Sequence, residues 1–189
     1  MKTSQKTSHH SWLQASALAL GLTLVGHASD ARAEESPAPG HRLSVYTTAG
    51  AQVYLSSART MGGVGGGLGI RDTINGRFIL QADASYLSLL GNAASVRVGA
   101  GVQRSGTWAP AALLTVSTLF GEHLSFLTPE HPERLTGPSV SLGVTLAPVR
   151  FELESVQVSV LQFGIGAGTD LPGLGLNYSL GLLEAGVTF

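Results

Sequence analysis

The chain has 189 residues, of which 43% are hydrophobic and only 12% are charged, and its formal net charge is −1. A soluble globular domain carries about 25% charged residues, so the composition argues against an ordinary cytosolic domain, and the near-neutral balance argues against both disorder and nucleic-acid binding. The sequence contains no cysteine, which excludes disulfide bonds, thiolate metal sites and a lipid-modified N-terminal cysteine.

The N-terminus has the layout of a secretory signal peptide. Lys2 and Lys6 precede an apolar stretch over residues 12–25, and Ala31-Arg32-Ala33 places small residues at both determining positions of a cleavage site. An N-terminal membrane anchor is the alternative, but the apolar stretch is shorter than the roughly 20 residues that a spanning helix needs. We therefore predict a signal peptide over residues 1–33, an extended leader over 34–41 and a single folded domain over 42–189.

The chain after Ala33 contains no lysine, and its eight arginines face eleven carboxylates, a balance of −3. Apolar residues recur at every second position in this part, which is the period of a β-strand. In the fourth of eight such segments, for example, Val96, Val98, Ala100 and Val102 alternate with polar or small residues. The segments cover residues 43–55, 63–71, 77–86, 95–103, 108–120, 139–146, 151–165 and 176–189. The seventh changes its apolar phase, which predicts a β-bulge within that strand.

The connections between these segments differ in length at the two ends of the predicted sheet. We expect tight turns at Asn75-Gly76, Ser105-Gly106 and Pro148, a short third connection over residues 91–94 and a long fifth connection from Gly121 to Pro138. The seventh connection contains Asp170, Pro172 and Gly173. Short turns at the end that carries both termini, with longer loops at the other, are typical of a membrane β-barrel.

Three features favour a membrane barrel over a soluble β-sandwich. The segments are about as long as the 9 to 11 residues of a tilted membrane-spanning strand. The face opposite the apolar one is rich in Gly, Ser, Thr and Gln, which suit the narrow lumen of an eight-stranded barrel. Aromatic residues also sort towards two rims, with Phe78, Trp108, Phe151 and Phe189 on one and Phe120 and Phe163 approaching the other. The alternative is a soluble exported barrel whose apolar face turns inward to bind an apolar ligand.

With its signal peptide, even strand number and terminal Val187-Thr188-Phe189, the sequence resembles the small OmpA/OmpX-like outer-membrane β-barrel proteins of Gram-negative bacteria. The resemblance covers almost all of residues 42–189. It implies an antiparallel up-and-down barrel of about eight strands in the outer membrane, in contact with its lipids. It also implies that Phe189 is part of the signal that the barrel-assembly machinery reads.

The glycine-rich stretch from Gly62 to Gly69 matches no nucleotide-binding motif, and no helix follows it. We interpret these glycines as lumen residues that leave room for Tyr46, Gln52 and Tyr54 on the first strand.

Several charged residues are predicted to face the lumen. Asp83 and Arg97 project inward from neighbouring strands within diagonal reach, and Glu154 and Glu184 are expected to approach one another across the last hairpin. Two confined carboxylates repel unless a cation joins them, a feature that catalytic sites share with structural networks. We expect a structural plug, with Arg42, Arg71 or Arg97 as the counter-ion.

The long fifth connection holds the only residues that suggest a catalytic group. His123 and Ser125 are followed by Glu130 and Glu133, and a base, a nucleophile and an orienting acid are what acyl transfer needs, as in outer-membrane lipid A deacylases. The surrounding residues do not resemble that family, and His123 and His131 have no recognised metal-ligand spacing. We therefore predict a non-enzymatic barrel with an envelope-structural or surface-interaction role, at most a narrow pore, without a cofactor or metal.

Overall fold

The fold is a closed antiparallel β-barrel, seen in a computed structural model that describes residues 40–89, 91–122, 124, 137–169 and 174–189. Within these ranges the strands are β1 (His41–Leu55), β2 (Thr60–Ile74), β3 (Phe78–Leu87), β4 (Ala93–Gln103), β5 (Ala111–Gly121), β6 (Ser139–Ala147), β7 (Val149–Leu153), β8 (Val156–Thr169) and β9 (Leu174–Thr188). No helix in the described part of the chain is long and apolar enough to cross a membrane. The predicted signal peptide over residues 1–33 lies outside the described residues.

Consecutive strands pair with each other, except β6 with β7, and two further pairings complete the ring. β1 pairs with both β2 and β9, which joins the first strand to the last. β6 and β7 both pair with β8, so they form consecutive parts of one wall strand. The described residues therefore build an eight-stranded up-and-down barrel from nine strand segments. Closure leaves no sheet edge with unpaired backbone groups.

The apolar face of the barrel points outward. Leu80, Val98, Leu114, Leu142 and Ile165 come from five different strands, and each side chain is more than half exposed. The buried residues are mostly polar or charged, in contrast to the core of a soluble protein. The predicted transmembrane barrel is confirmed, and the soluble barrel with an inward apolar face is wrong. Lipid is the environment in which this exterior is stable, because an exposed apolar surface of this extent is unfavourable in water.

The expected tight turn at Pro148 is wrong, because the chain continues through Pro148 as the same wall strand. Trp108 and Phe151 form a β-bridge beyond it, and the Ala109 amide donates to the Arg150 carbonyl at 2.9 Å. Ala111 pairs with Ala147 on the other side of the proline. From the Ala109–Arg150 hydrogen bond to the Ala111–Ala147 pair, one strand advances two residues and the other advances three. One extra residue on one strand defines a β-bulge. Proline, which has no N–H, is tolerated at such a position.

The sixth turn lies at Glu154-Ser155 instead. Leu153 pairs with Val156, so the loop has two residues, and Glu154 has a positive φ of 21°. Two-residue hairpins favour turns with positive φ. The first phase change in the predicted seventh segment is therefore this turn. The second coincides with Leu161, which has φ of 66°. The expected β-bulge is wrong there, because Leu161 and Leu182 are both skipped and the register of β8 with β9 is unchanged.

The two ends of the barrel differ as expected. We call the end that carries His41, Thr188 and the turns at 75–76, 104–107 and 154–155 the turn end, and the opposite one the loop end. At the turn end Asn75 and Gly76 both have left-handed φ, of 54° and 67°, as predicted for an Asn-Gly turn. The long connection from Gly121 to Pro138 belongs to the loop end, and residues 123, 125–136 and 170–173 lie outside the described ranges.

The aromatic residues of the turn end form one rim. The side chains of Phe78, Trp108, Phe151 and Phe189 are all exposed, and the Trp108 indole N–H donates to the Pro148 carbonyl at 3.1 Å. Phe120 lies near the loop end of β5, but Phe163 is the eighth of the fourteen residues of β8 and lies mid-strand. Its expected approach to the second rim is wrong, because β8 begins five residues later than the sequence suggests.

Outward-facing residues at the middle of the strands are predicted to be the most sensitive to charge. Val98 is the sixth of eleven residues in β4, and Val144 is the sixth of nine in β6. We expect Val98→Arg and Val144→Arg each to lower the free energy of unfolding by about 2 to 4 kcal/mol, as for arginine near a bilayer midplane. Urea unfolding in lipid vesicles measures this effect, with Val98→Leu as the matched control. Equal stability of the arginine and leucine variants would contradict a lipid-facing position.

The role of Phe189 in assembly remains a prediction, and the structure supplies a matched control. The Phe189 amide donates to the Leu43 carbonyl at 2.8 Å, and the ring is exposed to a similar extent as Phe78 on the same rim. We expect Phe189→Ser to reduce barrel abundance in the outer membrane more than Phe78→Ser does, because only the former would remove an assembly signal. Quantitative immunoblotting of membrane fractions compares the two. Equal abundance would reduce Phe189 to an ordinary interfacial aromatic.

Candidate functional site: the filled lumen and the base of the long loop

An ion pair between β2 and β9 lies in the turn-end part of the lumen. Arg71 donates to both carboxylate oxygens of Glu184, at 2.6 and 2.9 Å, and both side chains are 1% exposed or less. The Glu184 carboxylate also accepts hydrogen bonds from the amides of Gln157 at 2.9 Å and Gln162 at 2.8 Å. Gln81 accepts from Arg71 through its Oε1. The pair is thus bidentate and surrounded by neutral partners, the arrangement that stabilises charge in a desolvated site.

The left-handed backbone at Leu161 makes this arrangement possible. Gln157 and Gln162 are five residues apart, so a regular strand with a period of two would place them on opposite faces. The left-handed residue at Leu161 shifts the phase, and both glutamines are buried in the lumen. Both amides therefore reach the same carboxylate, and the irregular backbone at Leu161 has a defined role in the lumen network.

A second ion pair lies next to the first. Asp83 of β3 and Arg97 of β4 are directly opposed in the sheet, and Arg97 Nε donates to Asp83 Oδ2 at 3.1 Å. The Tyr46 hydroxyl donates to the same oxygen at 3.3 Å. The Tyr46 ring also lies 4.6 Å from the Arg71 guanidinium, a cation–π distance. Tyr46 therefore connects the two ion pairs into one network.

The structure confirms that Asp83 and Arg97 are near each other, but it pairs the other predicted charges differently. Glu154 lies in the turn and not in the lumen, and its backbone carbonyl accepts from Arg42 at 2.8 Å. Glu184 pairs in the sheet with Ser159 and Thr48, so the expected approach of Glu154 to Glu184 is wrong. The reason is the misplaced sixth turn. Arg71, one of the three expected counter-ions, is the partner of Glu184.

Glycines make room for the lumen tyrosines, as predicted, although only one of them is in the expected stretch. A side chain at Gly69 would collide with the ring of Tyr46. Tyr54, however, occupies the space above Gly175 of β9 and not a glycine of β2. The glycines at positions 65 and 67 lie against the backbone of β3.

The part of the lumen beyond the ion pairs is lined by neutral polar side chains. Ser95 donates to Gln52 at 2.7 Å, Gln52 donates to Asn177 at 3.2 Å, and Asn177 donates to Ser141 at 2.8 Å. These four residues come from β4, β1, β9 and β6. The chain of hydrogen bonds therefore crosses the barrel from wall to wall.

An apolar cluster closes this polar interior at the loop end. Five consecutive strands each contribute one buried residue to it, namely Tyr54, Met61, Leu87, Ala93 and Leu119. Leu124, from the long connection, is 4% exposed and lies against Gly91. We call these six residues the apolar cap. It lies between the polar lumen and the loop end on this side of the barrel.

The ends of the long connection are fixed to the same rim. The Leu124 amide donates to the Thr60 carbonyl at 2.8 Å, and the Glu122 amide donates to the Asn92 carbonyl at 2.9 Å. At the other end, Arg59 donates to the carbonyls of Gly137 at 2.6 Å and Pro138 at 3.1 Å. Arg59 follows β1, whereas Pro138 precedes β6 on the almost opposite wall. The Arg59 side chain therefore spans the mouth of the barrel.

The residues of the hydrolase hypothesis, His123, Ser125, Glu130 and Glu133, lie outside the described ranges, as does His131. The structure therefore does not bring them together or separate them. In the part of the chain that is described, no group of three or more His, Asp or Glu side chains is arranged to hold a metal ion.

Sequence reasoning missed Gln157, Gln162 and Arg59. The two glutamines stand at incompatible positions in a regular strand, and a left-handed non-glycine residue leaves no distinct composition signal. Arg59 follows Ser56-Ser57-Ala58, and the Ser56 hydroxyl accepts from the Arg59 amide at 3.0 Å. That serine turn is the signal that could have marked a tight first connection at the loop end.

The chain matches no protein-family model and no curated protein. Among solved structures it is similar to Ail, the attachment invasion locus protein of Yersinia pestis, in complex with the heparin analogue sucrose octasulfate. The sequence identity is 13%, the match covers 79% of this chain and 99% of that chain, and the TM-score is 0.46. A second Ail structure gives 12% identity, coverages of 79% and 99%, and a TM-score of 0.48. Neisserial surface protein A (NspA) gives 13% identity, coverages of 78% and 97%, and a TM-score of 0.48.

Proposed function

We propose that this protein is a non-enzymatic outer-membrane barrel that acts at the cell surface through the connection from Gly121 to Pro138. The observation that carries the proposal is the filled lumen. Arg71, Glu184, Tyr54 and Met61 are each 2% exposed or less, although they line the inside of a barrel. A barrel packed in this way offers its outer wall and its loops for function, not a wide channel.

The outer membrane is the location that fits the chain best. The described residues form a barrel with an apolar exterior, and the N-terminal sequence has the pattern of an export signal. Exported barrels of this type have short periplasmic turns and longer extracellular loops. This rule places the turn end in the periplasm and the loop end outside the cell.

The long connection is well placed to carry a binding surface. Its first and last residues are held by the Glu122, Leu124 and Arg59 hydrogen bonds, so its base is part of the rigid barrel. Binding residues collect on loops that a rigid scaffold positions. The connection contains three glutamates and one arginine, at positions 122, 130, 133 and 134. Its negative balance favours a basic partner surface.

The ion pair at the centre of the lumen network is predicted to be strongly coupled. Replacing Glu184 by glutamine leaves Arg71 as a buried charge without a counter-ion, so we expect Glu184→Gln to lower the free energy of unfolding by about 3 to 5 kcal/mol. The double variant Arg71→Met with Glu184→Met should lose less unfolding free energy than the Arg71→Met and Glu184→Met single variants lose in sum. As a control, Asp72→Asn removes the more exposed His41–Asp72 contact and should cost about 1 kcal/mol or less. Additive losses at positions 71 and 184 would contradict the coupling.

Electrical recording in planar lipid bilayers tests the filled lumen directly. We expect the purified protein to give no discrete conductance steps, because lumen side chains and the apolar cap occupy the path. A general porin recorded in parallel shows that insertion events are detectable. Reproducible steps from the wild-type protein, absent from mock preparations, would establish a pore and overturn this part of the proposal.

Replacing residues 125–136 by a short Gly-Ser linker tests the role of the long connection. We expect the barrel to fold, as shown by heat-modifiable gel migration, while retention of expressing cells on a lysozyme-coated surface is lost. An albumin-coated surface is the control for an acidic partner. Unchanged retention by the linker variant would show that the connection does not bind a basic surface.

Protease treatment of whole cells tests the orientation independently. The long connection should be cut from outside, whereas the turn at Asn75-Gly76 should be protected until the outer membrane is permeabilised. Cutting of the long connection only after permeabilisation would reverse the proposed orientation.

A further inference from the structure

Arg150 is a buried charge without a protein counter-ion. It lies in β7, it is 0% exposed, and none of its three guanidinium nitrogens has a hydrogen-bond partner among the described residues. Its backbone carbonyl accepts from Ala109, so the main chain is fixed while the side chain is unsatisfied. A buried charged group without compensation costs several kcal/mol, which requires an explanation in a stable barrel.

The carboxylates of the lumen are already engaged with other groups. Glu184 accepts from Arg71, Gln157 and Gln162, and Asp83 accepts from Arg97 and Tyr46. Glu152 accepts from Gln103 at 2.7 Å and lies 3.5 Å from Arg42. Each of these carboxylates thus has its own arginine, because Glu184 pairs with Arg71, Asp83 with Arg97 and Glu152 with the partly exposed Arg42. Arg150 has no such carboxylate, and its guanidinium is unpaired.

The groups around Arg150 add to the excess of donors. Arg71 is close enough to repel it electrostatically, while Glu184 and Glu152 attract it without forming hydrogen bonds. The Nε2 amide of Gln81, which bonds to Arg71 through its oxygen, is also buried and has no acceptor. The unpaired acceptor in this part of the lumen is Gln103 Oε1. A site with two cations and further N–H donors is one that attracts an anion.

We propose that Arg150 forms a lumen binding site for a small monovalent inorganic anion such as chloride. A single negative charge matches the one guanidinium that has no paired carboxylate, and a small ion is favoured because Gln103, Gln81 and the Arg71–Glu184 pair already surround this part of the lumen. Arg150 lies four residues before the turn at Glu154-Ser155, so the site is nearer to the turn end than to the apolar cap. The proposal concerns the interior and does not depend on the surface role of the long connection.

The experiment compares thermal unfolding of the full barrel in detergent micelles containing sodium chloride or sodium gluconate at equal ionic strength. Because binding to the folded state alone stabilises it, we expect chloride to raise the Tm of the wild-type protein by at least about 2 °C, with saturation. Arg150→Met should lose this response. Arg104→Met, which removes an exposed arginine that stacks on Trp108 at the turn end, should keep it.

Crystals grown in sodium bromide give a second readout that needs no variant. We expect an anomalous peak within hydrogen-bond distance of the Arg150 guanidinium. A bonded contact between Arg150 and Gln103 Oε1 with no anomalous peak would overturn the proposal, as would equal Tm values in chloride and gluconate. A chloride response that persists in Arg150→Met would also overturn it, because the ion would then bind elsewhere. If Arg150→Met does not fold, the Tm of the wild-type protein in chloride and gluconate and the bromide peak still test whether an anion binds at Arg150.

Discussion

Hydrocarbon offers no hydrogen bonds to a polypeptide backbone, and the architecture of this chain follows from that constraint. A spanning sheet must pair every strand on both sides, which it achieves here by joining β1 to β9 and β8 to the β6–β7 strand. Closure with eight strands leaves an interior about as wide as the side chains that fill it. The alternation of side chains then divides the residues into a lipid-facing set and a lumen set. The lumen must therefore be packed with polar side chains whose hydrogen bonds are satisfied inside the barrel.

The ion pairs of the lumen are stable inside the barrel because neighbouring polar side chains support them. The Arg71–Glu184 pair is desolvated, and its stability depends on the amides of Gln81, Gln157 and Gln162. Neutral hydrogen bonds of this kind satisfy lone pairs and N–H groups that water would otherwise satisfy. The network also specifies register, since a slip of one residue in β2, β3, β4 or β9 would turn Arg71, Asp83, Arg97 or Glu184 towards lipid. Structure and insertion therefore depend on the same few residues.

The features that could be predicted from the sequence are those that repeat. A period of two over long segments is sufficient to predict the number of wall strands and the face that contacts lipid. The Asn75-Gly76 pair is sufficient to predict its turn. The irregular positions could not be predicted in the same way. Pro148 has the local chemistry of a turn but lies at a bulge, and this choice depends on pairing with residues near Ala109 that are distant in sequence. One misplaced turn then changed the expected partner of Glu184.

The sequence predicts that charged side chains face the lumen, but it does not predict most of their partners. The sequence indicates that Asp83 and Arg97 face inward on adjacent strands, and the structure places them opposite each other. It could not indicate that Glu184 pairs with Arg71, because those residues are 113 positions apart and meet only when the ring closes. The direction of Gln162 likewise depends on the left-handed backbone at Leu161. Long-range closure and local backbone irregularity are the two kinds of information that a residue pattern lacks.

The position of Arg59 has a mechanical consequence. A ring of eight strands can flatten into an ellipse at its open end without breaking wall hydrogen bonds, because each strand only tilts slightly relative to the next. Arg59 acts as a tie across that end, since it joins the β1–β2 turn to the carbonyls of Gly137 and Pro138 near the far wall. These two hydrogen bonds therefore oppose a change in the distance between the β1–β2 turn and the start of β6.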